Sequence, residues 1–275
     1  MSESPAEYET LTLVVDRGVA TITLNRPERM NAWNRAMAHD ISHSLQWCDS
    51  TDDVRAVVIT GAGRAFCAGA DLSQGGDTFE AGRNQTAAEA ATEVYPWNIR
   101  KPVIAAINGA AVGVGATFSM TCDIRYAADD AKIGFVFVRR GQLPELASHA
   151  ILPRVVGMSR AADLLMTGRI VLGTEAAAMG LVSEALPKNQ VLARALETAH
   201  LIATQAAPVS VAASKHLLWN SLNSSIDETV AAEVPVFAHL AAQADSIEGV
   251  ESFLEKRDPQ WKLSVNNDFP ADLLS

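Results

Sequence analysis

The chain has 275 residues, 48% hydrophobic and 20% charged, the balance of a soluble globular protein built on one large core or a core with an appendage. Its formal net charge of -10 argues against nucleic acid and anionic membranes as default partners, while leaving room for a small anionic ligand held by local positive charge. Cys48, Cys67 and Cys122 lack metal-ligand or redox spacing, the polar start MSESPAEYET lacks the apolar core of a signal peptide, and no apolar run is long enough to cross a bilayer. A cytoplasmic protein with free thiols is expected.

Leu11 to Val15 and Val19 to Leu24 are apolar runs separated by Asp16-Arg17-Gly18, a hairpin signal, and Asn25-Arg26-Pro27 ends the second strand. Met37, Ile41 and Leu45 recur at helical spacing, predicting a helix from Asn34 to Trp47. A strand follows at Arg55 to Thr60. Gln74 to Ala91, rich in Gly, Ala and polar residues, has no strong apolar face and reads as a mobile segment with some helix. Further strands are expected at Val103 to Ile107, Ile124 to Ala127, Lys132 to Phe135 and Leu181 to Ala185, with a helix from Ala116 to Cys122. From Pro144 the chain reads as helical, with breaks near Gly157, Gly168 and Gly173. Beyond Pro187 it reads as helix alone, punctuated by Pro208, Pro235 and Pro259. Alternating strands and helices followed by helices predict an α/β core over 1–190 and a helical region over 191–275.

Two segments carry the chemistry. GAGRAFCAGADL (Gly61 to Leu72) follows Val57-Val58-Ile59, and NGAAVGVGATF (Asn108 to Phe118) follows the strand Val103 to Ile107. Both read as small-residue loops leaving a buried strand, where backbone N–H groups can approach a ligand closely. Side by side, they would aim two donors at one carbonyl oxygen, an oxyanion hole. The competing reading of each loop is a tight turn that only packs strands together.

These residues, with LNRPERMNAWN (Leu24 to Asn34), AKIGF (Ala131 to Phe135) and FLEKR (Phe253 to Arg257), resemble the crotonase superfamily, the enoyl-CoA hydratase/isomerase family. The match runs in order along nearly the whole chain. The resemblance implies a spiral of ββα turns, a C-terminal helical region that assembles homotrimers or dimers of trimers, and an acyl-CoA or enoyl-CoA thioester as substrate. Coenzyme A then enters as part of the substrate, with no permanently bound cofactor and no metal. It also implies that the oxyanion donors are the N–H groups of Ala70 and Val114, the latter at a position where most members carry glycine. Ala68, Asp71, Leu72 and Gly113 fall where adenine and pantetheine are cradled. Arg29 and Arg64 fall where basic groups meet the CoA phosphates, and Phe253 and Lys256 where C-terminal residues, in some members a neighbour's, contact CoA. The acyl pocket is expected along Gln74 to Ala91, Trp97 and Phe135 to Val138.

A hydratase of this family uses two glutamates, and this chain has Thr117 and Phe137 in their places. Neither side chain is an acid or base near neutral pH. Glu145, after Pro144, stands where some relatives without the usual pair carry an acid, and it is expected in the first turn of a helix. Acids are favoured in any first turn, so position alone does not make it catalytic. His149, four residues on, would share its face. Arg139 and Arg140 read as ion-pair residues, Asp123 as a support of the second loop, and Cys67 as a packed thiol. One carboxylate plus an oxyanion hole suffices for a 3-enoyl to 2-enoyl-CoA isomerase, the first reading. Hydration or thioester hydrolysis through Glu145, and a catalytically weak CoA-thioester binding protein, are the alternatives.

Overall fold

The computed structural model describes residues 7–78 and 92–274. Strands β1 (Leu11–Asp16) and β2 (Val19–Leu24) form the expected antiparallel hairpin, turned by Arg17 and Gly18 at φ 45° and 80°. Asn34 caps α1 (Arg35–Ser50), its side-chain oxygen accepting the Met37 N–H, and Met37, Ile41 and Leu45 face the core as their spacing predicted.

From β3 onward the chain coils. β3 (Ala56–Gly61), β5 (Val103–Ile107) and β7 (Ile124–Ala128) lie parallel in one six-stranded sheet of order β1-β2-β3-β5-β7-β10, with β10 at Glu184–Leu186. Each of the first three is followed by a short strand, β4 (Ala65–Cys67), β6 (Ala110–Val112) or β8 (Lys132–Gly134), in a second sheet of order β4-β6-β8-β9, with β9 at Ile170–Leu172. Each turn of the coil thus puts one strand in each sheet. β3 and β5 are buried along their whole length, so they read as continuous Val/Ile/Ala runs without alternation.

The remaining helices are α2 (Val114–Met120), α3 (Ser148–Val156), α4 (Met158–Thr167), α5 (Gly173–Ala178), α6 (Lys188–Gln205), α7 (Pro208–Asn220), α8 (Ile226–Ala241), α9 (Ala244–Glu255) and the short α10 (Val265–Asp268). The expected division at 190/191 falls inside α6. That helix buries Val191, Ala195, Ala199 and Ala203 and packs across β2, β3, β5 and β7, so the unit built on the sheet runs to Gln205. β4, β6 and β9 lie where loops or helix were expected: three small or short-run residues give no periodic signal.

A buried polar knot joins the helical region to the core. The Lys215 ammonium on α7 pairs with Asp123 at 2.8 Å and donates to the carbonyls of Pro96 and Lys101 at 2.7 and 2.8 Å. Asp123 also accepts the Val103 N–H and the Trp219 indole N–H, each at 2.7 Å. It therefore anchors the start of β5 and α7 rather than the second loop itself. Cys48, Cys67 and Cys122 are all buried and free, and among the described residues no helix is long and apolar enough to cross a membrane.

Candidate active site at the ends of the second sheet

The two glycine-rich segments meet backbone to backbone. β4 and β6 pair in parallel, Ala65 opposite Ala110 and Cys67 opposite Ala111. A Cβ on Gly115 would lie 2.1 Å from the Cys67 carbonyl oxygen, and one on Gly109 2.1 Å from that of Arg64. No side chain fits at either place. Gly69 and Gly113 adopt φ of 110° and 57°, and a Cβ on Gly113 would touch the Gly69 Cα at 3.7 Å.

This packing leaves Ala70 and Val114 with free donors. Ala70 forms a single parallel bridge with Trp33: the Trp33 N–H donates to the Gly69 carbonyl and the Asp71 N–H to the Trp33 carbonyl, both at 2.8 Å. In a parallel bridge the middle residue's own N–H points the other way. Val114 opens α2, where N–H groups have no intrahelical acceptor. Its neighbour Gly113 donates to the Gly134 carbonyl at 2.8 Å, and Ala116 and Thr117 donate to the Gly113 carbonyl. Ala70 and Val114 make no hydrogen bond through their N–H among the described residues, and both are only half-buried. The branched side chain of Val114 packs on the core.

Two amides that sequence reasoning assigned no role hold the first segment. The Asn31 side chain donates to the carbonyls of Ala62 and Ala65 at 3.0 and 2.8 Å and accepts the Arg26 N–H at 2.9 Å. The Asn108 side chain accepts the Gly61 N–H at 3.1 Å and donates to its carbonyl at 2.8 Å. Trp33, Phe66 and Phe118 back the pair, with ring centroids 5.0 and 6.4 Å apart across Phe118.

Asp71 is engaged within the chain. Arg26 donates to it at 2.9 Å and the Ser73 N–H at 3.1 Å, so these bonds hold its carboxyl below the usual range. Leu72 is exposed and Ala68 half-buried. Arg29 and Arg64 are exposed and make no ion pair among the described residues; their segments are brought together because Gly63 packs against Pro27. Phe253 and Lys256 sit at the end of α9, with no hydrogen bond or ring contact to these segments among the described residues. Of the expected acyl pocket, residues 79–91 lie outside the described residues.

Glu145 is not in a helix. α3 begins at Ser148, and Leu146 and Ala147 between them both adopt φ of 51°. Two successive non-glycine residues in the left-handed region cost about 1–3 kcal/mol each and cluster at functional sites. Pro144 resembled the first residue of a helix, yet this left-handed pair turns the chain before the helix starts. The first-turn position expected for Glu145 therefore fails, and so does the shared face with His149, which is exposed and makes no hydrogen bond to it among the described residues. What the turn achieves is contact with α2: the Thr117 hydroxyl donates to Glu145 Oε1 at 3.3 Å. A carboxylate thus meets α2 at Thr117 from another element. Glu145 keeps an open side, but the protein around its carboxylate, chiefly by burial, pushes its pKa up; the Thr117 bond works against that shift and the charge of Glu93 adds to it.

Phe137 is half-buried and Arg139 donates to the Thr167 carbonyl at 2.9 Å; neither Arg139 nor Arg140 forms an ion pair among the described residues, contrary to expectation. Burial pushes the Cys67 thiol up to about 12, which removes it as a nucleophile. No cluster of His, Cys, Asp and Glu that could hold a metal occurs among the described residues.

Known proteins resemble this chain along most of its length. The family model for enoyl-CoA hydratase/isomerase matches residues 15–264. Enoyl-CoA hydratase ACTT3 of Alternaria alternata is 40% identical over 254 residues, 90% of this chain and 84% of that protein. The probable enoyl-CoA hydratase echA8 of Mycobacterium tuberculosis is 35% identical over 260 residues, 92% and 98% of the two chains. Among solved structures, a probable enoyl-CoA hydratase/isomerase from Mycobacterium abscessus superposes with a TM-score of 0.84 at 36% identity, covering 92% of this chain and 98% of that one. Enoyl-CoA hydratase from Bacillus anthracis superposes with a TM-score of 0.86 at 31% identity, covering 92% and 99%. With its two-sheet coil, its paired glycine segments and these matches along nearly its whole length, the chain belongs to the enoyl-CoA hydratase/isomerase family of the crotonase superfamily.

Proposed function

We propose that the protein moves a double bond in an enoyl-CoA thioester from the 3 to the 2 position, with Glu145 as the single acid/base and the N–H groups of Ala70 and Val114 on the thioester oxygen. Glu145 takes the C2 proton, the electron pair spreads into the thioester as an enolate held by the two donors, and Glu145 returns the proton to C4. Each donor of such a pair is worth about 3–4 kcal/mol of transition-state stabilisation. The raised pKa of Glu145 suits a group that must both accept and give a proton near neutrality.

The Thr117–Glu145 contact carries this reading. It supports one carboxylate beside α2, where a pair would serve hydration. Hydration or thioester hydrolysis through Glu145 is the second reading, favoured by the name enoyl-CoA hydratase borne by the relatives. With one group serving both halves of the addition, hydration should be the slower reaction. We assign CoA binding to Arg29, Arg64, Ala68, Asp71, Leu72 and Gly113, and to Phe253 and Lys256 of a neighbouring subunit. A homotrimer or dimer of trimers in the cytoplasm belongs to the same reading; Ile226, Phe237 and Phe253, 82%, 76% and 81% exposed on α8 and α9, support the covering of this face by another surface.

A panel of 3-enoyl-, 2-enoyl- and saturated acyl-CoA thioesters tests the proposal. Isomerisation by wild type that Glu145→Gln reduces at least about a hundredfold supports it. Equal rates in both proteins remove Glu145 from the reaction, and tight thioester binding without turnover on any substrate makes the protein a binding module.

A further inference from the structure

One side chain that the proton transfer above does not use ties the first glycine-rich segment to the chain ahead of α1. Arg26, just past β2, donates from Nη1 to the Ala32 carbonyl at 2.5 Å and from Nη2 to Asp71 Oδ2 at 2.9 Å. Ala32 precedes Trp33 and Asp71 follows Ala70, the two partners of the single bridge that turns the Ala70 N–H outward. The guanidinium thus straddles that bridge. The ion pair is largely buried, its side chains 18% and 17% exposed. The loop that carries Arg26 is braced as well. Met30 and Asn31 adopt left-handed backbone, φ 54° and 53°, a conformation that persists only where the surroundings over-determine it. The Arg26 carbonyl accepts the N–H groups of Arg29 and Asn31 at 3.0 and 2.9 Å, and the Met30 carbonyl accepts the Ala68 N–H at 3.1 Å.

We propose that Arg26 is a positioning residue for the reaction: its guanidinium, gripping Ala32 and Asp71 at once, sets the angle at which the Ala70 N–H meets the thioester oxygen. The inference rests on the assignment of that N–H as an oxyanion donor. Such a donor stabilises developing charge only when its distance and direction are both right. The bridge alone does not secure the direction. Its two bonds, from the Trp33 N–H to the Gly69 carbonyl and from the Asp71 N–H to the Trp33 carbonyl, hold the Ala70 peptide at one level and let the segment rock about their line. The Arg26–Asp71 bond adds an attachment made by side chains, and a third point fixes an orientation that two leave free.

Arginine suits this part. Its planar guanidinium offers separate nitrogens to two acceptors at a fixed spacing, whereas a lysine ammonium is a single nitrogen. The acceptor it grips is itself anchored, because Asp71 Oδ1 takes the Ser73 N–H at 3.1 Å. Among the described residues Asp71 forms no other ion pair. The charge of Arg26 is therefore committed inside the protein, in contrast to the exposed Arg29 and Arg64.

The test is the infrared carbonyl band of hexanoyl-CoA labelled with carbon-13 at C1, a saturated thioester that cannot isomerise, bound to wild type, Arg26→Met, Arg26→Lys and Arg100→Met. A thermal melt of each, and kcat and KM for 3-hexenoyl-CoA, accompany it. The band needs no turnover, so its outcome does not depend on Glu145. Wild type is expected to lower the band on binding, because two aligned donors polarise the carbonyl. Arg26→Met should return much of that shift and lower kcat about ten- to a hundredfold, with KM changed less than about threefold, since the lost alignment matters most in the transition state. Arg26→Lys, which keeps the charge on one nitrogen, should fall between. Arg100→Met removes another largely buried pair, Arg100–Asp49 at 2.9 Å, and should lower the melt with the band unmoved. A wild-type band in Arg26→Met overturns the inference and leaves the donor assignment standing, as does a band displaced equally in Arg100→Met. A band that binding to wild type leaves unshifted overturns the donor assignment and the inference together. If Arg26→Met melts too low to assay, a wild-type band in Arg26→Lys overturns the inference in its place.

Discussion

Gly115→Ala puts the oxyanion geometry to its most direct trial. The added methyl carbon would lie 2.1 Å from the Cys67 carbonyl oxygen and 2.9 Å from both the Cys67 carbonyl carbon and its Cβ. Real Cβ atoms essentially never come within 3.0 Å of such neighbours, so β4 and the start of α2 must part by about 0.9 Å. Cys67 lies three residues before Ala70, and Gly115 directly follows Val114. The separation therefore falls on the two proposed donors. A misplacement of about 1 Å at reacting groups costs roughly 100-fold, and overpacking costs about 1–3 kcal/mol of stability. We expect kcat/KM for 3-hexenoyl-CoA to fall on the order of 100-fold while the protein remains folded at 25 °C, with the loss mainly in kcat. Gly249→Ala, in α9, is the control: its new Cβ meets Trp261 no closer than 3.6 Å, and a helical Gly→Ala change should stabilise by up to about 1 kcal/mol without altering turnover. Wild-type kcat in Gly115→Ala would refute the claim that the close approach of these segments sets the donor geometry.

Four further expectations concern protons and the buried knot. Thr117→Val removes the one bond that lowers the Glu145 pKa, so the acid limb of the pH–rate profile should move to higher pH. Burial holds the thiols of Cys48, Cys67 and Cys122 up at about 12 against 9 for a free thiol. Between about pH 9 and 12 the unfolded chain then binds fewer protons than the native one, and urea midpoints should fall as pH rises through this window. Lys101, lowered by burial to about 8 from 10.5, and Lys215, also lowered by burial, oppose this, while the Tyr8 phenol, raised by burial to about 12, adds to the three thiols. Below about pH 9 the thiols should react with Ellman's reagent only on unfolding; rapid labelling of the native protein would contradict their burial. Lys215→Met strands the Asp123 carboxylate and the carbonyls of Pro96 and Lys101, and should cost about 3–5 kcal/mol in urea unfolding.

The parts of this fold that were legible in the sequence are those whose side chains repeat. The hairpin turned at Arg17-Gly18, the apolar stripe of α1 and the buried runs of β3 and β5 stand within a few residues of where their patterns place them. The second sheet was illegible because β4, β6 and β9 have three residues each, too few to alternate. The small residues pointed to two closely packed loops, while the assignment of the donors to Ala70 and Val114 came from the family resemblance. The positions of Asn31, Asn108 and Arg26 were not legible, since a single polar side chain carries no period. The conformation around Glu145 was misread: nothing in Pro-Glu-Leu-Ala announces two left-handed residues before α3, which packs against α2.

The Lys215 knot gives the helical region a purchase on the sheet. One ammonium on α7 grips the Pro96 carbonyl, one residue after Tyr95 and three after Glu93, while its counter-ion Asp123 grips the first residue of β5. With Lys215 6% and Asp123 11% exposed, the link is largely shielded from water. One ion pair thus ties α7, the segment before β5 and the first residue of β5 to one another. A change that breaks it would loosen the C-terminal helices from the sheet and from that segment at once.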